Sequence, residues 1–100
     1  MFIHSVYFWL KSDLTDEQKA QYQAGMKALT TISTVKFSYI GAPAGTPREV
    51  VDNSYSNVLI VGFEDKAGHD AYQEDPIHDA FRDDCGAFWD RVQIYDAIGD

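Results

Sequence analysis

The chain has 100 residues, 45% of them apolar and 14% aromatic, with a formal net charge of −8. That length and aromatic content fit one folded domain and exclude a disordered chain. Five Lys/Arg stand against four Asp/Glu in residues 1–50 and three against twelve in residues 51–100. With no basic stripe to attract phosphates, this balance argues against nucleic acid and anionic membranes as partners.

FIHSVYFWL, residues 2–10, is β-branched and aromatic and too short for an amphipathic helix, so it reads as a strand. Its two faces, Phe2, His4, Val6, Phe8, Leu10 and Ile3, Ser5, Tyr7, Trp9, are both largely apolar, and both need cover. The run is far shorter than the roughly 20 residues of a membrane helix. The N-terminus has neither a basic leading region nor a cleavage-site pattern, which predicts a soluble, cytoplasmic protein without a membrane partner.

Thr15 with Gln18 forms a capping-box signature, and Asp16 and Glu17 suit the positive end of a helix dipole, so a helix begins there. Tyr22, Met26 and Leu29 recur at i, i+4, i+7, and Ile32 extends the stripe toward an end near Thr31 to Ser33. Gly25 costs such a helix roughly 1 kcal/mol relative to Ala and signals close packing against a neighbour.

TVKFSYIG, residues 34–41, predicts a second strand, and the Pro-, Gly-, Asp- and Asn-containing stretch 42–54 a long exposed loop of the kind that can gate a pocket. YSNVLIVGFE, residues 55–64, predicts a third strand, with Tyr55, Leu59, Val61 and Phe63 on one face and Val58, Ile60 and an open Gly62 on the other. Asp65 caps a short helix through Glu74, and Asp75-Pro76 starts another that stops near Gly86. FWDRVQIYDAI, residues 88–98, is the last strand. Cys85 is the only cysteine, so no intramolecular disulfide is possible.

The order β-α-β-β-α-α-β predicts one domain over residues 1–100 with an α+β, ferredoxin-like split βαβ plan: a four-stranded antiparallel sheet with helices on one face. Strands one and three are apolar on both faces, and the last adds Trp89 and Tyr95. The side that helices leave bare would exceed the few hundred Å² that monomers tolerate, so a homodimer packed through its sheet faces is predicted.

The stretch AYQEDPIHDAF, residues 71–81, sets Tyr72 and His78 about a helix junction. A neutral His78 could accept a proton α to a carbonyl, with Tyr72 donating to the developing enolate oxygen. The helix dipole and burial favour the neutral imidazole, whereas Asp75 and Asp79 favour the charged one, and the residues alone leave the sign open. The same pair could instead only hold two short helices on the sheet. No metal site is expected: His4, His69 and His78 are the nearest to candidate ligands, but no HExxH or closely spaced Cys/His set occurs. Asp83 and Asp84 oppose a Cys85 thiolate. Gly41, Gly45 and Pro47 lack phosphate-loop spacing, and no dinucleotide fingerprint occurs, so no cofactor is expected.

Three runs, IHSVYFWLK, SNVLIVGFEDKAGHDAYQEDPIH and FWDRVQIYDA, together cover much of the chain. Through them it resembles the stress-responsive A/B barrel family, Dabb, of the dimeric α+β barrel superfamily. The resemblance implies a homodimer whose two sheets form a barrel with helices outside, and relatives in plants and microbes tied loosely to stress. One branch of the family comprises polyketide cyclases that fold a linear poly-β-keto thioester by aldol condensation. There a histidine after a Pro acts as base and a helical tyrosine assists, roles the resemblance extends to His78 and Tyr72, with His4 matching the first-strand histidine. The correspondence fails on the first helix, where the cyclase presents a second pocket tyrosine and this chain places Met26. A pocket between sheet and helices, lined by His4, Val6, Phe8, Tyr22, Met26, Phe63, Phe81 and Phe88, is expected to take a small, partly apolar molecule. Three readings follow: a binding protein without an assigned reaction, a cofactor-independent cyclase-like enzyme, and a structural dimer with a filled interior.

Overall fold

The computed structural model describes residues 1–99. Its elements are β1 (Phe2–Leu10), α1 (Asp16–Leu29), β2 (Phe37–Gly41), β3 (Asn57–Phe63), α2 (Lys66–Glu74), α3 (Pro76–Cys85), a 3₁₀ turn (Gly86–Phe88) and β4 (Trp89–Ile98). The strands form one antiparallel sheet in the order β2-β3-β1-β4. This is the ferredoxin-like arrangement, in which β1 and β3 are central and each βα unit crosses one face.

Local chemistry sets the boundaries. At the start of α1 the Thr15 hydroxyl accepts from the Gln18 N–H at 3.1 Å, while the Gln18 side chain accepts from the Thr15 N–H at 2.8 Å. The helix closes at Leu29, earlier than the apolar stripe suggests. There the Thr30 and Thr31 hydroxyls donate to the carbonyls of Lys27 and Ala28 at 2.6 Å, taking up acceptors the next turn would use. Ile32 is buried but follows in a turn, where the Val35 N–H donates to its carbonyl at 3.0 Å, so the strand begins only at Phe37.

Alternation along β1 puts Phe2, His4, Val6 and Phe8 beneath the helices and leaves Ile3, Ser5, Tyr7 and Trp9 half-buried on the other face. The register continues this division. His4 lies between Val61 and Asp96, and Val6 between Leu59 and Ile94. On the helix side, Tyr22, Met26 and Leu29 of α1, Tyr72 of α2 and Phe81 and Cys85 of α3 close one core over the sheet. At Gly25 the side chains of α3 pack directly on the α1 backbone, so that a Cβ there would stand 2.7 Å from Phe81 Cδ1 and 3.2 Å from Cys85 Sγ.

Two sequence expectations for β3 change. Tyr55 precedes the strand and turns to the open face, edge to face with Tyr7 at 5.0 Å between ring centroids, because Ser56 N–H pairs with the Phe8 carbonyl before regular pairing starts. Gly62 is not open, since the Phe37 ring lies against it and a Cβ would meet that ring at 2.1 Å. The face without helices carries Tyr7, Trp9, Tyr39, Ile60 and Tyr95, of which Tyr39 and Tyr95 are about 60% exposed. No described helix is long and apolar enough to cross a membrane.

Candidate functional site

A pocket of about 220 Å³ opens between the helix layer and the β4 edge of the sheet. Its floor is His4, Val6 and Phe8 of β1 with Leu59 of β3. Tyr72 and Gln73 of α2 and His78, Phe81 and Arg82 of α3 form the roof, while Trp89, Val92 and Ile94 of β4 and Leu29 of α1 complete the walls. A dry cavity of roughly 150 Å³ holds benzene, so the space suits a molecule of single-ring size.

The two histidines of the wall are held by different means. His4 is nearly covered, and its Nδ1 pairs with Asp96 Oδ1 at 2.5 Å across the β1–β4 pair. Burial lowers its pKa, and the Asp96 hydrogen bond and charge oppose that shift without reversing it. His78 is set by the junction: the Asp75 side chain accepts from Ile77 N–H at 2.8 Å, Pro76 occupies the first turn, and the Asp75 carbonyl accepts from His78 N–H at 2.9 Å. Its ring meets Tyr72 edge to face, with centroids 5.2 Å apart. Tyr72 in turn meets His4 at 5.9 Å and Phe63 at 5.1 Å.

Burial, then the Arg82 guanidinium and the neighbouring His4 and His69, lower the His78 pKa against the opposing charge of Asp79, so the imidazole is neutral at pH 7. Burial raises the Tyr72 pKa and keeps its hydroxyl protonated. The Nδ1 of His78 is buried and has no hydrogen-bond partner. The site therefore pairs a neutral imidazole with a protonated phenol in a mainly apolar recess.

Of the residues singled out from sequence, His4, Val6, Phe8, Tyr72, His78 and Phe81 meet at the pocket. Tyr22, Met26, Phe63 and Phe88 lie outside its wall, in the core. Tyr22 packs edge to face on Phe8 at 5.5 Å, with its hydroxyl buried and unpartnered. Phe63 packs behind the wall, against Tyr72 at 5.1 Å. The loop after β2 ends on the opposite face, where Trp9 Nε1–H donates to Ser54 Oγ at 3.0 Å, and Asp52 and Tyr55 border a recess on the open sheet with Tyr7, Trp9, Arg91, Gln93 and Tyr95.

Several pocket residues escaped the sequence reading though their signal was present. Arg82 follows His78 at i+4 on one helix face, and Val92 and Ile94 alternate on one face of β4, the face that also carries Asp96, the partner of His4 outside the pocket wall. Only the β1–β4 register shows that this face meets His4.

The sequence profile of the stress responsive A/B barrel domain, Dabb, matches residues 2–98. The chain belongs to the Dabb family. No curated protein sequence is significantly similar to it. Among solved structures, a protein from Arabidopsis thaliana is similar to this Dabb chain with a TM-score of 0.83 at 20% identity, covering 100% of this chain and 96% of its own. The hydroxynitrile lyase of Passiflora edulis matches with a TM-score of 0.83 at 19% identity, over 99% of this chain and 93% of its own. A dimeric ferredoxin-like protein of unknown function from Thermobifida fusca matches with a TM-score of 0.78 at 20% identity, over 96% and 88%. At these identities the likeness is one of fold.

Proposed function

We propose that this Dabb protein works as a homodimer joined through the open sheet faces, and that the pocket of each protomer binds a small, largely apolar molecule carrying a hydroxyl or carbonyl-type oxygen. One observation carries the binding reading: His78 Nδ1 is buried without a partner in a residue that lines an otherwise mainly apolar recess. A buried polar atom left unpaired costs about 1–3 kcal/mol, a cost that a ligand hydroxyl would remove. The dimer reading is supported by the aromatic face without helices and by the dimeric description of the Thermobifida fusca relative.

Titration with simple phenols and cyclic ketones, followed by nuclear magnetic resonance of the aromatic and histidine signals, tests the binding reading. It predicts shifts at Tyr72, His78 and Trp89, and at least tenfold weaker binding by His78→Ala. Shifts spread over the open sheet face, or a His78→Ala protein that binds as well as wild type, would overturn it.

A second reading is favoured by the pairing of a neutral imidazole with a protonated phenol. In a cofactor-independent cyclase-like reaction, His78 takes a proton α to a carbonyl and Tyr72 donates a hydrogen bond to the enolate oxygen; the carbanion then closes a ring on a second carbonyl, whose C=O π bond opens to an alkoxide that takes the proton back from the His78 imidazolium. The Passiflora edulis relative, named as a lyase, is an enzyme on the same fold. Incubating poly-β-keto thioesters with wild type, His78→Ala and Tyr72→Phe tests this reading, and identical product profiles from all three would remove it.

A further inference from the structure

Residues far apart in sequence converge beside the pocket at the end of the sheet nearest the N-terminus. His4 of β1, His69 of α2 and Asp96 of β4 each offer one donor atom, and these atoms lie within 4.8 Å of one another. We propose that they bind one divalent transition-metal ion of the borderline class, such as Zn²⁺, Fe²⁺, Co²⁺ or Ni²⁺.

The donor types select the class of ion. Two imidazoles and one carboxylate suit borderline transition metals, whereas Mg²⁺ and Ca²⁺ prefer all-oxygen sets. Metal–ligand bonds of about 2.0–2.2 Å put neighbouring donors about 3–3.5 Å apart, so the widest separation has to close by up to about 1.5 Å while the His4–Asp96 pair opens slightly to admit the ion. His4 Nδ1 and Asp96 Oδ1 already touch at 2.5 Å, and Asp96 has room to move, being 40% exposed on an edge strand.

The state of His69 is the second, independent observation. Its Nδ1 lies 3.1 Å from Asp70 Oδ1, while its Nε2 lies 3.3 Å from the Gln73 amide nitrogen. The carboxylate can only accept and the amide nitrogen only donate, so Nδ1 carries the proton and the Nε2 lone pair accepts from Gln73, a contact that a bound ion would replace. Asp70 is itself fixed by Lys66 Nζ at 2.8 Å. A carboxylate on the far nitrogen of an imidazole is the outer contact that orients metal-bound histidines and raises their basicity. The ring is further fixed by stacking on Phe2 at 4.4 Å and by the edge contact with Phe63 at 5.8 Å.

Three protein ligands leave a coordination position open, and His4 is shared with the pocket wall, so the ion would border the ligand space. Two of these ligands, His4 and His69, stand among the candidates named from sequence, where no metal site was expected; Asp96 does not, because the three come from separate elements that no short motif joins.

The test is titration of chelator-treated, untagged protein with Co²⁺, read by visible d–d absorption. One saturable equivalent per chain is expected, with affinity lowered at least tenfold by His69→Gln and by Asp96→Asn, about tenfold by Asp70→Asn, and unchanged by Cys85→Ser. Circular dichroism of each variant separates loss of binding from loss of fold. Absence of saturable uptake up to millimolar Co²⁺ would overturn the proposal. So would wild-type affinity in folded His69→Gln and Asp96→Asn, or uptake that disappears with Cys85.

Discussion

Tyr72 meets His78 edge to face across the Asp75–Pro76 junction, with ring centroids 5.2 Å apart and planes at 69°. His78 is half-buried at this contact, and burial is the leading reason it holds its proton less tightly than the ordinary value of 6.5. In the unfolded chain the residue binds a proton near 6.5, and in the folded chain only at lower pH. Between the two values the unfolded state holds more protons. The stability from a neutral, buried His78 is therefore complete above pH 6.5 and is lost as pH falls toward the folded value. Thermal melts should show wild type losing stability more steeply than His78→Gln below pH 6.5. His4, shifted in the same direction, leaves a residual slope in the variant. Equal slopes would show that the imidazole is not desolvated.

Tyr95 stands on the open face, 63% exposed and edge to face with Tyr7 at 6.1 Å. If a second copy covers this face, a carboxylate at this position is desolvated without a partner, which costs several kcal/mol. Tyr95→Glu is predicted to sediment as a monomer at micromolar concentration while keeping its far-ultraviolet circular dichroism, whereas wild type sediments as a dimer. A wild-type protein that stays monomeric at that concentration removes the dimer.

Gly25→Ala sets two effects against each other. Alanine gains about 1 kcal/mol in helix propensity over glycine. Its Cβ, however, would stand 2.7 Å from Phe81 Cδ1. The Phe81 ring can yield only toward the pocket it lines, and doing so disturbs its stacking on Trp89 at 5.5 Å and its edge contact with Phe8 at 5.9 Å. Overpacking of this kind costs about 1–3 kcal/mol, so a net loss of about 1 kcal/mol is predicted in denaturant unfolding. Phe81→Leu in the same chain should recover part of it, whereas a stabilised Gly25→Ala would show that the helices can separate freely.

The fold was legible because strong local signals agreed with one another. The Thr15 capping box, the Asp65 cap and the Asp75-Pro76 start all lie where the sequence puts them. The two apolar faces of β1 announced a sheet needing cover on both sides. The site was legible only where local order carries it: Tyr72, His78 and Phe81 lie close in sequence, and Val6 and Phe8 share parity with His4. Tyr22 and Met26 were indistinguishable from pocket residues, because an inward helix stripe does not reveal whether it meets a cavity or packed side chains. Asp96 as the partner of His4, and the approach of His69 to both, depend on strand register and on how α2 lies over β1. Those are long-range quantities that no sequence window contains.

Asp75 is the residue on which the candidate site's geometry most depends. It ends α2 with its N–H donating to the Tyr72 carbonyl at 3.2 Å, and it begins α3 with its side chain accepting from Ile77 N–H and its carbonyl from His78 N–H. One extended residue, with φ −68° and ψ 140°, therefore fixes the angle at which Tyr72 and His78 meet. Asp75→Ala removes only the side-chain cap, at a cost of about 1 kcal/mol, which a domain of this size survives. Because that cap holds the first turn of α3, the larger effect should appear at His78: weaker ligand binding and faster amide exchange at residues 76–79, with exchange in β1 and β3 little changed. Asp75→Asn and Asp75→Ser retain a side-chain acceptor and should restore both, since capping needs the acceptor rather than the charge. If Asp75→Ala binds ligand as wild type does, the junction is not what positions His78.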